Sequence, residues 1–180
     1  MEDLKERVGL EERLDQAAVT GMTMAVWADV QPDKAAVIDA YGRTRTFAEV
    51  NANANRLARL FRQHGVNPGD SLALVCSNRA EFIEVLAATM RAGVRITPVN
   101  WHLNADEIAY IINDCEAKVL VGDARVAVMA EAASNCPNVA LKLSVGGAID
   151  GFVEYDTALA GLDGSDIRSE EHTSEPQSRA

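Results

Sequence analysis

From Arg43 to Leu162, short apolar runs of strand length alternate with amphipathic stretches of helical period, and this alternation constrains the fold more than any other feature. The runs Ser71–Cys76, Arg95–Val99, Lys118–Val121 and Leu141–Val145 are too short for helices and are bounded by turn residues. Between them lie segments with apolar residues at helical spacing. Strand, helix, strand, helix in tight succession requires crossover connections, and crossovers make a parallel sheet. The expected class is therefore α/β, a Rossmann-like parallel sheet with flanking helices.

Local signals set the element ends. Thr46-Phe-Ala-Glu49 spells a capping box, in which hydroxyl and carboxylate satisfy each other's backbone donors. The helix behind it places Phe47, Val50, Ala54, Leu57, Ala58 and Phe61 on one face and turns Arg56, Arg59, Arg62 and Gln63 away. His64-Gly65 closes it. Asn78-Arg-Ala-Glu81 and Asn104-Ala-Asp-Glu107 have the same spelling and predict two further helix starts. The first of these carries Phe82, Ile83, Val85, Leu86, Ala88 and Met90, which predicts a heavily buried helix. A helix is expected from Arg125 to about Ala133 and a short one over Tyr155–Leu162. Ahead of this core, residues 1–34 read as two helices closed by Pro32, and Ala35–Asp39 with Arg43–Thr46 as a small hairpin.

Charge removes whole classes of partner. The 180 residues carry 27 acidic against 17 basic side chains, a formal net charge of −10. Such a field repels nucleic-acid backbones and anionic lipid, so no nucleic-acid partner is expected. No apolar run approaches membrane-spanning length, and the charged start Met1-Glu-Asp-Leu-Lys-Glu-Arg7 lacks a signal core. Cys76, Cys115 and Cys136 have neither C-x-x-C spacing nor a histidine pair, the pattern of reduced cysteines in a cytoplasmic protein.

Candidate chemistry is sparse. Neither G-x-G-x-x-G nor G-x-x-x-x-G-K-[ST] occurs, so the glycine loops that bring backbone N–H groups to phosphate are missing from this sequence. Gly146-Gly147 follows a strand but precedes neither lysine nor a clear helix, and reads as a plain loop. His64 suits a helix C-terminus, where a cation meets exposed carbonyls. His102, in Asn100-Trp101-His102 after a strand, stands where α/β proteins place ligands, but no acid or nucleophile accompanies it, and it reads as surface or packing. Asp106 and Glu107 lie in a first helical turn that favours them regardless of function. No catalytic, cofactor-binding or metal-binding residue is assigned.

The order of residues nevertheless resembles one superfamily, the adenylate-forming (AMP-binding) acyl- and aryl-CoA synthetases, luciferases and peptide-synthetase adenylation domains. Gly42, Thr46, Phe47, Glu49, Val50, Asn55 and Ala58 match its early pattern; Gly69-Asp70, Asn78 and Glu81 follow in order. Arg91-Ala-Gly-Val-Arg-Ile-Thr-Pro-Val-Asn100 resembles its second core motif. Asn100-Trp-His-Leu103 with Glu107-Ile-Ala-Tyr110 is similar to the fatty-acyl-CoA branch, although arginine is usual where His102 stands. The resemblance implies the N-terminal subdomain of a fatty-acid–CoA ligase. Such an enzyme joins a carboxylic acid to ATP as an acyl-adenylate with loss of pyrophosphate, and CoA then displaces AMP. It implies ATP, Mg²⁺ and CoA for a full-length parent, with the phosphate loop downstream and no cofactor bound by residues 1–167 alone.

Residues 168–180 break with everything before them. Arg168-Ser-Glu-Glu-His-Thr-Ser-Glu-Pro-Gln-Ser-Arg-Ala180 has no large aliphatic residue and resembles the translation of a common sequencing adapter, matching through Ser178 except for leucine where Pro176 stands. The stretch is read as a non-native, disordered tail, which sets His172 aside. The expectation is then an incomplete domain over 1–167, inactive by itself and prone to self-association through an uncovered strand edge. The alternative from another class is a stand-alone Rossmann-like binding or interaction module without catalysis. A third is a small-molecule enzyme using His102.

Overall fold

The computed structural model describes residues 2–167, so the 168–180 stretch and His172 lie outside the described residues. Two helices, α1 (Glu2–Thr20) and α2 (Thr23–Val30), lead into an antiparallel hairpin of β1 (Ala35–Ile38) and β2 (Thr44–Thr46). The chain then alternates: α3 (Phe47–Gln63), β3 (Ser71–Val75), α4 (Ala80–Ala92), β4 (Arg95–Pro98), α5 (Ala105–Asp114), β5 (Ala117–Asp123), α6 (Met129–Ser134) and β6 (Leu141–Val145). It ends with β7 (Val153–Glu154) and α7 (Tyr155–Leu159).

The five strands β3–β7 form one parallel sheet in the order β4-β3-β5-β6-β7. Successive strand residues feed opposite layers, as the pleat demands. Leu72, Leu74, Val119, Val121, Leu141 and Leu143 point to a layer shared with α3, α4 and α7. Ala73, Val75 and Leu120 point to a second layer, packed by Ile108 and Ile112 of α5 and by Met129, Ala132 and Ala133 of α6.

The capping boxes at Thr46 and Asn104 form as their spelling predicts, with Glu49 N and Glu107 N donating to the cap side chains. The third does not. Arg79, not Asn78, precedes α4 and supplies no side-chain cap, because Glu81 is engaged by Arg43 instead. The expected apolar face of α3 is buried at Val50, Ala54, Leu57, Ala58 and Phe61, while Phe47 is only half-buried against Trp27.

Helix α4 is heavily buried, through Val85 and Ala88 as its apolar pattern predicts and also through residues that pattern does not pick out. Met90 is 49% exposed, whereas the charged Glu84 and Arg91 are enclosed at 0% and 2%. Helix α6 begins at Met129 rather than Arg125, since Asp123 accepts from Arg125 N and turns the chain there. Among the described residues no helix is long and apolar enough to cross a membrane.

Candidate functional site

Counting from β3, the chain passes to β4 on one side and then returns to β5 on the other. The direction of winding therefore reverses between β3 and β5. Strand carboxyl ends at such a switch point are where open α/β sheets hold ligands. The residues leaving these two strands, Ser77 to Arg79 and Asp123 to Arg125, meet there, and the β1–β2 hairpin brings Tyr41 onto them.

Asp123 is the hub. Its Oδ2 accepts from Ser77 Oγ at 2.5 Å, Arg79 Nε at 2.9 Å and Ser77 N at 3.3 Å, while Oδ1 accepts from Arg125 N at 3.0 Å. Its side chain is fully enclosed. Burial opposes the charge, but the bonds from Ser77, Arg125 and Arg79 outweigh it and hold the carboxyl below the usual aspartate range. Tyr41 shares a hydrogen bond with Ser77 Oγ at 2.9 Å, and its ring lies beneath two guanidinium groups, Arg79 at 4.5 Å and Arg125 at 5.2 Å.

The hairpin that carries Tyr41 is itself fastened. Asp39 accepts from Tyr41 N, Arg43 N and Arg43 Nε, and Arg43 reaches on to grip Glu81 with two parallel bonds of 2.9 and 2.7 Å. Burial works against ionising Asp39, yet the Arg43 and Tyr41 donors bring its carboxyl down to about 2. Gly146, at the end of β6, completes the wall: it has φ +74° and a side chain there would run into the Arg79 guanidinium. The glycine loop is more than a plain connection, because it makes room for Arg79.

The residues singled out from sequence lie elsewhere. His64 ends α3 in solvent with Nδ1 3.0 Å from Leu60 O, as a helix-terminal histidine should. His102 is exposed at the end of β4, its ring 3.7 Å from that of Trp101, and its N donates to Asn100 Oδ1. Cys76 and Cys136 are buried, Cys115 is half-buried, and all three are free; burial pushes the Cys76 thiol up to about 12. Among the described residues no group of three or more His, Cys, Asp or Glu could hold a metal ion. What sequence reasoning missed is Tyr41, Ser77, Arg79 and Asp123. Their signal is positional: a Ser-x-Arg and an Asp, each directly after an apolar strand.

As a site for ATP with its Mg²⁺, this donor set does not fit. A triphosphate needs several convergent N–H groups and cations. Here Arg79 is neutralised by Asp123, and Arg43 by Asp39 and Glu81. Of the arginines at this end, Arg125 alone keeps its charge uncommitted to a carboxylate among the described residues.

The model of the family described as AMP-binding enzyme matches residues 24–177. The chain belongs to that family. Long-chain fatty acid transport protein 1 of Homo sapiens is 33% identical over 144 residues, which is 78% of this chain but 22% of that protein. The 2-succinylbenzoate–CoA ligase of Geobacillus kaustophilus is 36% identical over 109 residues, covering 58% and 22%. The fatty acid–[acyl-carrier-protein] ligase ScoC of Streptomyces coeruleorubidus is 31% identical over 98 residues, covering 54% and 19%. The chain thus spans about a fifth of the length of these relatives.

Solved structures agree on the fold. The anthranilate CoA ligase AuaEII, in complex with anthranoyl-AMP, superposes with a TM-score of 0.74 at 22% identity, over 86% of this chain and 30% of that one. A Mycobacterium tuberculosis fatty acyl CoA synthetase gives 0.68 at 24% identity, over 85% and 30%.

Proposed function

We propose that this chain is the N-terminal framework of an ATP-dependent acyl-CoA ligase acting on a fatty acid, and that it does not turn over by itself. The observation that carries the reading is the family match over residues 24–177, in a sequence that contains no phosphate-binding loop. The overall reaction converts carboxylate, ATP and CoA to acyl-CoA, AMP and pyrophosphate. Its ATP, Mg²⁺ and CoA chemistry belongs in this reading to residues beyond 167. The framework contributes the sheet against which those parts are built.

Fatty acid as substrate rests on the segment Asn100-Trp-His-Leu103 with Glu107-Ile-Ala-Tyr110 and on the named activity of ScoC. A cytoplasmic location follows from the supply of ATP and CoA there and from the three unpaired cysteines. The outer strands β4 and β7 leave sheet edges through which the isolated chain self-associates, a behaviour that sedimentation at rising concentration measures.

The test is ATP–pyrophosphate exchange with fatty acid and Mg²⁺, run on this chain and on the protein translated from the uninterrupted reading frame. The expected result is exchange by the longer protein alone. Exchange by the 180-residue chain would contradict the reading. Inactivity of both would favour a binding or interaction module.

A further inference from the structure

Between α7 and Ile167 the chain forms no helix or strand, yet residues 162–167 are held across α3 at almost every position. Arg56 Nε donates to Leu162 O at 3.1 Å, and Arg59 to Asp163 O and Ser165 O at 2.9 and 2.7 Å. Asn55 Nδ2 donates to Gly164 O at 3.0 Å. Gly164 sits so close that an added side-chain carbon would lie 3.0 Å from Ala52 Cβ and from the Arg56 guanidinium. Ile167 is buried at the end of this strap.

Beneath it lies an unusual charge. Arg91, near the end of α4, is enclosed on all sides, and among the described residues no carboxylate touches it. Its guanidinium donates to Asn55 Oδ1, to Asn51 Oδ1 and to Asn51 O, and its Nε has no hydrogen-bond partner among the described residues. The guanidinium is lowered to about 10, mainly by burial, with the charge of Asp166 opposing the shift and that of Arg59 adding to it. The same two asparagines that accept from Arg91 turn their amide Nδ2 groups outward to Asp166 Oδ1, at 2.8 Å from Asn51 and 3.0 Å from Asn55. Both amides are therefore oriented: carbonyl towards the cation, N–H towards the anion.

We propose that the strap is a latch closed by a relayed ion pair, Arg91 to Asn51 and Asn55 to Asp166, so that docking of residues 162–167 and packing of α4 against α3 form one cooperative unit. An arginine buried with only amide acceptors is costly, and the relay places its counterion on a segment with no ladder of its own. Opening the strap removes Asp166, reverses the reason for both amides to stay oriented and leaves Arg91 uncompensated. A pull on the chain beyond Ile167 is therefore felt at the end of α4, from which Gly93 leads directly into β4.

The test is hydrogen exchange, followed by mass spectrometry, on the whole chain and three variants. Asp166→Asn keeps an acceptor and the shape but removes the charge. It should speed exchange about tenfold or more both in 160–167 and in the last turns of α4. Arg91→Met/Asp166→Asn should return α4 to the unmodified rate while the strap stays fast, because no buried charge remains to be answered. Faster exchange confined to 160–167 in Asp166→Asn would overturn the proposal, since Asp166 would then be only a local tether. Should Asp166→Asn fail to fold, folding of the double variant supports the relay. Failure of the double variant while Arg91→Met folds overturns it.

Discussion

The two faces of the sheet are packed by different chemistry. On the α5–α6 side, β3 and β5 present Ala73, Val75 and Leu120 to Ile108, Ile112 and Met129, an aliphatic layer. The α3–α4–α7 side has an apolar floor of Leu57, Phe61, Leu72 and Val85, but α3 and α4 also bury Asn51, Asn55, Glu84 and Arg91. Glu84 accepts from Asn53 Nδ2 at 3.0 Å and from Tyr155 Oη at 2.7 Å, and Arg45 lies 3.4 Å away. Asn51 and Asn55 bond to Asp166, and Glu84 to Tyr155 and Arg45 of the hairpin, while Arg91 reaches Asp166 only through the two asparagines. An apolar layer stabilises without choosing which segment covers it; hydrogen-bonded charges fix one partner in one register.

The sharpest contrast should appear in truncations. Ile112→Ala, at a fully enclosed site in the aliphatic layer, should cost roughly 2–5 kcal/mol in urea unfolding, because it removes burial and leaves a cavity. Tyr155→Phe removes one oxygen from the other face and leaves Glu84 a donor short, which should cost about 1–3 kcal/mol. Equal losses would erase the distinction between the faces.

The pH dependence separates the acids of the molecule by sign. Burial raises the Glu84 carboxyl above 4.5, against the pull of Asn53 and Tyr155. Between 4.5 and that raised value, the folded chain holds a proton that the unfolded chain has released, so stability falls as pH rises through the window. Asp123 is the reverse: its lowered value gives stability that is complete above 3.8 and is lost as pH falls below it. Melting temperatures across pH from about 3 to 8 should therefore lose their decline on the neutral side in Glu84→Gln while keeping the acid-side decline. A Glu84→Gln profile parallel to the unmodified one would show that Glu84 is not held protonated by its burial.

The smallest effect lies at the end of α5 on the aliphatic side. Glu116 has φ +53°, the left-handed region that normally takes glycine after a helix. Glu116→Gly should stabilise by about 1 kcal/mol, measured by the shift in urea midpoint. Destabilisation would mean that the Glu116 side chain contributes more than its backbone strain costs.

Legibility in the sequence follows the distance between partners. The Thr46 and Asn104 caps read correctly because both members of each pair lie three residues apart. Asn78-x-x-Glu81 has identical local spelling and misleads, since Glu81 is taken by Arg43 from the hairpin. The strands of the aliphatic layer and the amphipathic α5 are visible as periodicity. Glu84 and Arg91 stand seven residues apart on α4 and carry no local sign of their burial, because Tyr155 and Asp166 are far along the chain. Strand β7, with two exposed residues, carries no pattern to find. At the switch point the strand ends and the hairpin itself are legible, but not the placement that drops Tyr41 over Ser77, since Arg43 sets that approach by bridging Asp39 and Glu81.

Our proposal that these residues form the first part of a longer adenylate-forming ligase is decided by the genomic DNA across codon 167. The frame should stay open past Ile167 and encode, within about 40 codons, a Ser/Thr- and Gly-rich segment with a lysine, since that loop must follow a strand of the same sheet. A stop codon directly after Ile167 in that DNA would contradict it.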